Sequence, residues 1–260
     1  MPPTLLDAYD DQLRALIPDP LPPGEQVERD GPVLRFTGGP RGWVLYRDLA
    51  GLEGDELDEL IARQVRVFAE RGERFEWKLH GHDRPADLPE RLRAAGFEPE
   101  ELETVVIAPV ETVAGRPSPP EGVSLREVTD RRDLERIAAM EEEVWRLEHS
   151  WLVEMIEGER AVDPGSIVVV VAEAGDRVVC AAWIRFAAGT DFASLWGGAT
   201  LPEWRSRGIY RATVAYRANL AAARGFRFLE VDASSDSRPI LERLGFIAVT
   251  TTTPYVWSPA

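Results

Sequence analysis

The sequence contains a single cysteine, Cys180, so an internal disulfide and a multi-cysteine zinc site are both excluded. With only His80, His82 and His149, a histidine-rich metal centre is not expected, and no metal is called for. No apolar run approaches the ~18 residues needed to cross a bilayer; the longest reads Ile167-Val168-Val169-Val170-Val171-Ala172. The stretch Met1–Asp7 has neither the basic nor the apolar region of a secretory signal. A reducing, cytoplasmic setting without membrane partners is therefore expected. Positive charge is also short: 30 cationic against 45 acidic side chains leave a net charge of −15. That deficit argues against a general nucleic-acid binder, which needs a basic surface to neutralise phosphates. Lysine is nearly absent, Lys78 being the only one, a compositional bias that carries no functional reading.

What is present fits a globular α/β protein. The 260 residues are 44% hydrophobic, enough for one large domain or two of ordinary size. The clearest boundary is Ala114-Gly115-Arg116-Pro117-Ser118-Pro119-Pro120-Glu121-Gly122, which can continue neither a helix nor a central strand. This predicts domains at 1–115 and 123–260 with a Pro/Gly linker at 116–122. After the linker, periodicity predicts a strand at Val123–Val128, a helix at Asp130–Trp145 and a second helix at His149–Glu159. Strands follow at Ile167–Ala174, Val178–Phe186 and Phe192–Leu201. Then come a long helix at Gly208–Arg224, a strand at Arg227–Asp232, a short helix at Ser237–Leu244 and a last strand at Val249–Trp257.

The first half repeats the end of this pattern. Arg71-Gly72 with the β-rich Phe75–Leu79 lines up with Arg224-Gly225 and Phe228–Asp232, each preceded by a helix (Asp55–Glu70 and Gly208–Ala223). Each is followed by Arg-Pro, a helix containing Glu-Arg-Leu, a Gly-Phe and a β-rich run, Thr104–Val110 or Thr250–Trp257. The common order reads as a tandem repeat.

The segment Gly198-Ala199-Thr200-Leu201-Pro202-Glu203-Trp204-Arg205-Ser206-Arg207-Gly208-Ile209-Tyr210-Arg211 is the most informative. It joins a strand to a long helix and puts a glycine where that helix begins. A helix N-terminus offers free N–H groups and about half a positive charge, which suits phosphate. Glycine permits close backbone approach, and Arg205, Arg207 and Arg211 make a basic island in an acidic chain. On these facts alone, a helix start with solvated arginines fits equally well.

The Pro202-x-x-Arg205-x-x-Gly208-x-x-Arg211 core resembles the acetyl-CoA loop of the GNAT acetyltransferase superfamily. Arg238-Pro239-Ile240-Leu241-Glu242-Arg243-Leu244-Gly245-Phe246 is similar to the family's short helix closing in Leu-Gly-Phe. The resemblance covers 123–257, and the first half resembles a degenerate copy without the CoA motif. It implies an α/β fold with a mixed central sheet flanked by helices, in two tandem copies. It also implies that acetyl-CoA is held by Gly198, Ala199, Thr200, Arg205, Ser206, Arg207, Gly208, Ile209, Tyr210 and Arg211. The activity implied is direct transfer of the acetyl group to an amine, on a small molecule or a peptide, in a ternary complex. Two departures stand out: Tyr210 replaces a small residue of the loop, and Leu241 replaces the tyrosine that often serves as proton donor.

The family's chemistry needs no nucleophilic side chain, so Cys180, inside an apolar strand, reads as core. Glu230 resembles the proton acceptor of ribosomal-protein N-terminal acetyltransferases; a solvated strand-end carboxylate is the alternative reading. Asp232 and Glu173 are lesser candidates for the base, and Tyr255 or Tyr216 for the donor. Trp145, Trp151, Trp183 and Trp196 are expected in the core more than in an acceptor pocket. Glu141-Glu142-Glu143 reads as a solvated helix face, and His149 as a helix start. A CoA-binding sensor without turnover is the rival function.

Overall fold

The computed structural model describes residues 4–259; Met1–Pro3, part of the N-terminal stretch considered above, and Ala260 lie outside them. In chain order the elements are α1 (Leu5–Gln12), β1 (Gln26–Asp30), β2 (Val33–Thr37), β3 (Gly42–Leu45), α2 (Gly54–Arg71) and β4 (Phe75–His80). There follow α3 (Leu88–Ala94), β5 (Glu98–Pro99), β6 (Glu103–Pro109) and α4 (Val110–Val113). The second half holds β7 (Val123–Val128), α5 (Arg131–Trp145), α6 (Trp151–Val162), β8 (Ile167–Ala174), β9 (Arg177–Phe186) and β10 (Phe192–Thr200). It closes with α7 (Ile209–Ala223), β11 (Phe228–Ala233), α8 (Arg238–Arg243) and β12 (Ile247–Trp257).

Packing divides the chain into two units. The first takes the residues up to Val106 together with Asp232–Arg238 and the C-terminal stretch from Ala248. The second takes Ile107–Val231 and Pro239–Ile247. The Pro/Gly stretch at 116–120 forms neither helix nor strand.

In the first unit, β1, β2 and β3 form an antiparallel meander, and β3 pairs in parallel with β4 after the α2 crossover. β12 lies antiparallel on the other side of β4. Leu57, Leu60, Ile61 and Phe68 of α2 follow helical spacing and are buried with Phe75 and Trp77 of β4. Full burial of such side chains contributes about 1.5–3 kcal/mol each.

The second unit repeats this order. β7, β8, β9 and β10 are antiparallel neighbours, and β11 joins β10 in parallel after α7. The apolar run predicted at Ile167–Ala174 is β8, covered by α5 and α6 through Leu134, Ile137, Leu152 and Ile156. Asp130 caps α5 by accepting from the Asp133 N–H at 2.8 Å. The parallel pair has the same length in both units, three residues: Gly42↔Phe75 to Val44↔Trp77, and Phe192↔Phe228 to Ser194↔Glu230. Both crossover helices are followed by a glycine with positive φ, Gly72 and Gly225, where other residues are strained.

Three expectations need correction. Glu141 is not on a solvated face: it falls on the stripe Leu134, Ile137, Ala138 and is buried with them. Trp145 Nε1 donates to its Oε2 at 2.6 Å, and burial pushes the Glu141 carboxyl up. Of the four tryptophans only Trp183 is buried; Trp145, Trp151 and Trp196 are 56%, 51% and 42% exposed. Trp145 ends α5 and Trp151 begins α6, so both lie at helix ends where little packs over them. His149 precedes the helix start, which falls at Trp151, and its Nδ1 pairs with the Leu147 carbonyl at 2.8 Å.

Candidate acetyl-CoA site

The site is built on the way β10 leaves its parallel partner. β10 stays paired with β9 as far as Thr200↔Cys180, but its ladder with β11 stops at Ser194↔Glu230. From Leu195 onward, that edge of β10 has no neighbouring strand within the unit. Backbone N–H and C=O groups need partners, so this edge suits an extended ligand laid along it.

The unpaired stretch contains a β-bulge. The register with β9 shifts between Gly197 and Ala199, and Gly197 and Gly198 have φ of 67° and 95°. Both must be glycine for steric reasons too. A Cβ on Gly197 would come within 2.5 Å of the Trp183 ring, and one on Gly198 within 2.5 Å of the Tyr210 ring. Tyr210, the loop's departure from the family pattern, therefore turns back over β10. We expect Gly198→Ala to destabilise the fold by about 1–3 kcal/mol from backbone strain and overlap. Adding Tyr210→Ala should recover the overlap part only. Denaturant melts that are additive for the two changes would contradict this packing.

Beyond the bulge the chain passes into the loop. The Leu201 N–H donates to the Val179 carbonyl, and Pro202–Trp204 makes one 3-10 turn. Arg205 Nε donates to the Thr200 carbonyl at 3.0 Å, bracing the loop against the strand end. Ser206 is left-handed at φ 60° and Gly208 at φ 82°, so two reversals bring the chain into α7. Ala199 and Thr200 are buried, as is Ile209, which anchors the helix start. Arg205, Ser206, Arg207 and Arg211 are exposed. Glu203, the loop's carboxylate, pairs with Arg177 at 2.8 Å, and Arg207 lies over the Trp204 ring at 4.8 Å.

The N-terminus of α7 has no side-chain cap and no acidic residue in its first turn. Its first N–H groups and its partial positive charge are thus directed at whatever lies before Gly208. The corresponding start of α2 has Glu53 at the cap position and Asp55 and Glu56 in the first turn. A cavity of about 270 Å³ in that unit is lined by Asp7, Asp10, Asp48, Glu53 and Asp83 against Arg14, Arg47 and Arg84.

Glu230 ends the parallel ladder opposite Ser194 and is 6% exposed, which removes the solvated-carboxylate reading. The other candidates scatter. Asp232 falls in the first unit and forms an ion pair there with Lys78. Glu173 is fixed by Arg126 and Arg136, which hold its carboxyl below the usual range. The Tyr216 hydroxyl donates to Glu127 on β7, three strands from β10, and Tyr255 lies in the core of the first unit. Leu241 is fully buried, and burial pushes the Cys180 thiol up to about 11. Sequence reasoning missed Arg217, a fully buried cation on α7 that donates to the Trp196 carbonyl beside the bulge.

The fold is a GNAT-like α/β fold in a tandem arrangement. Residues 131–246 match the family model described as "Acetyltransferase (GNAT) family". Three solved structures have the same fold across most of the chain. A GCN5-related N-acetyltransferase from Kribbella flavida is 16% identical, with a TM-score of 0.67, covering 91% of this chain and 90% of that one. A tandem GNAT protein from the clavulanic acid biosynthesis pathway is 14% identical, with a TM-score of 0.64, covering 92% and 84%. A functionally unknown conserved protein from Staphylococcus epidermidis ATCC 12228 is 14% identical, with a TM-score of 0.68, covering 93% and 97%. A search of curated proteins finds no match. Among the described residues, no helix is long and apolar enough to cross a membrane, and no group of three His, Cys, Asp or Glu is arranged to hold a metal ion.

Proposed function

We propose that the protein is an acetyl-CoA-dependent N-acetyltransferase that passes the acetyl group directly to an amine in a ternary complex. The observation that carries this reading is the conjunction in the second unit. A strand edge is left open beyond Ser194↔Glu230, and an uncapped helix N-terminus flanked by exposed arginines stands at its end. In this reading the pyrophosphate lies against Gly208, Ile209 and Tyr210 backbone and the arginines Arg205, Arg207 and Arg211. The thioester end extends along β10 toward Gly198. Residues 123–260 form the transferase domain, 116–122 a linker, and 1–115 a degenerate copy without a CoA site.

Holding the two reactants together supplies much of the acceleration. Glu230 takes the proton of the acceptor ammonium, directly or through water, so that a neutral amine attacks the thioester carbonyl. The acceptor is a small-molecule amine or a peptide, and the acidic surface favours cationic ones by steering. Thiol release from acetyl-CoA across a panel of primary amines tests the proposal. Release that depends on one amine class supports it. CoA binding without release from any amine would place the chain among non-catalytic CoA binders, a rival to which Leu241 lends weight.

A further inference from the structure

Helix α7 carries a cation that its packing does not require. Arg217 is 1% exposed. Its Nε donates to the Thr213 carbonyl at 3.1 Å, and its Nη1 donates to the carbonyls of Trp183 and Trp196, each at 3.0 Å. Its Nη2 has no partner. The titratable groups facing the guanidinium are Tyr210 on the same helix and Cys180 on β9, neither a carboxylate. Glu141 of α5 acts on Cys180 from beyond. Keeping an unpaired guanidinium from water costs several kcal/mol.

The first unit shows what the position needs structurally. Aligning Arg71-Gly72 with Arg224-Gly225 puts Gln64 of α2 where α7 has Arg217. Gln64 is also fully buried and also donates to the carbonyl four residues back, Leu60, at 3.3 Å. It is neutral and satisfied at both ends, accepting from Arg35 at 2.9 Å and donating to Asp30 at 2.8 Å. An amide therefore meets the packing requirement. The buried cation beside Gln64, Arg35, is paired with Glu28 at 2.7 Å and Asp30 at 3.8 Å, whereas Arg217 faces no carboxylate, in the copy whose helix starts at Gly208 behind three arginines.

Its position indicates its use. Trp196, whose carbonyl Arg217 holds, immediately precedes the Gly197–Gly198 bulge, at the end of the site remote from the phosphates. During transfer the amine lone pair forms the C–N bond while the C–S bond breaks with its electron pair on sulfur. One ammonium proton goes to Glu230 before attack, and a second, lost from nitrogen once the C–N bond has formed, goes to water. Negative charge thus develops on sulfur where Leu241 replaces the tyrosine that often donates a proton. We propose that Arg217 is a positioning residue that fixes the Trp196 carbonyl at the bulge and supplies the positive charge that stabilises the departing CoA thiolate. It gives up no proton, since a guanidinium stays protonated in proteins; water protonates the sulfur after departure.

This inference rests on the acetyl-CoA reading, and its test separates the two. CoA and S-methyl-CoA, which has no free thiol, are titrated calorimetrically from about pH 6.5 to about pH 9 against wild type, Arg217→Gln and Arg217→Lys. With wild type, CoA should gain on S-methyl-CoA as pH rises, by up to about tenfold per unit of lowered thiol pKa. Arg217→Gln should lose that gain while keeping its S-methyl-CoA affinity; Arg217→Lys, which keeps the charge, should retain most of it. Equal pH dependence of the two ligands in wild type overturns the proposal, even if a variant fails to fold. So does a gain that survives in Arg217→Gln. A wild-type protein that binds neither ligand overturns the acetyl-CoA reading itself.

Discussion

Replacing Gly208 by glutamate should abolish CoA binding. The residue sits at φ 82° as the cap of α7, and a Cβ there would meet Arg211 Nη2 at 3.5 Å, an ordinary contact. A glutamate there would direct a carboxylate at the place where the proposed site sets the N–H groups of α7 against a pyrophosphate. At an effective dielectric near 20, one like-charge pair at ~4 Å costs about 4 kcal/mol, roughly a thousandfold in affinity. The backbone conformation adds a cost of about 1–2 kcal/mol for any non-glycine residue. Gly208→Ala carries that strain without the charge and should bind CoA far more tightly than Gly208→Glu. Calorimetry on folded Gly208→Glu showing wild-type affinity would remove the pyrophosphate from this helix end.

Glu230→Gln should act on turnover and leave CoA affinity nearly unchanged. The side chain is buried at the last rung of the β10–β11 ladder, and glutamine has the same shape. Loss of a general base typically lowers the rate by about 10²–10⁴-fold. The rate at saturating acetyl-CoA should fall by that order and lose its base-dependent limb between about pH 6 and about pH 9. A variant with wild-type rates and an unaltered pH profile would leave Glu230 a structural carboxylate.

Much of the fold was legible because local and tertiary signals agree. The strands at Val123–Val128 and Ile167–Ala174 occur with the boundaries that alternation and the apolar run assign. The long helix begins just past Gly208, where the glycine ends the loop. The repeat also survives in the structure, down to equal three-residue parallel ladders. Other features depend on partners that sequence spacing does not name. Two adjacent glycines in a strand suggest a bulge, yet which residue is extra depends on the register with β9. The burial of Arg217 has no signal of its own in the sequence, because it depends on the face of α7 that Ala218 and Ala221 bury with it. Glu141 was readable in principle: its place in the stripe Leu134, Ile137, Ala138, Glu141 outweighs the acidity of its neighbours. The exposed Trp145 and Trp151 show the converse, large apolar residues placed where a helix ends.

The first unit's helix α2 supplies the contrast on which the account depends. It repeats the crossover geometry but sets Glu53, Asp55 and Glu56 where α7 has Gly208 and arginines. Acidic side chains suit a helix N-terminus as a structural cap, and for that reason they repel a polyanion. Calorimetric titration of the full chain with CoA tests this directly. The account predicts saturation at one equivalent per chain, with all binding heat lost in Gly208→Glu. A stoichiometry of two, or binding that persists in folded Gly208→Glu, would contradict it.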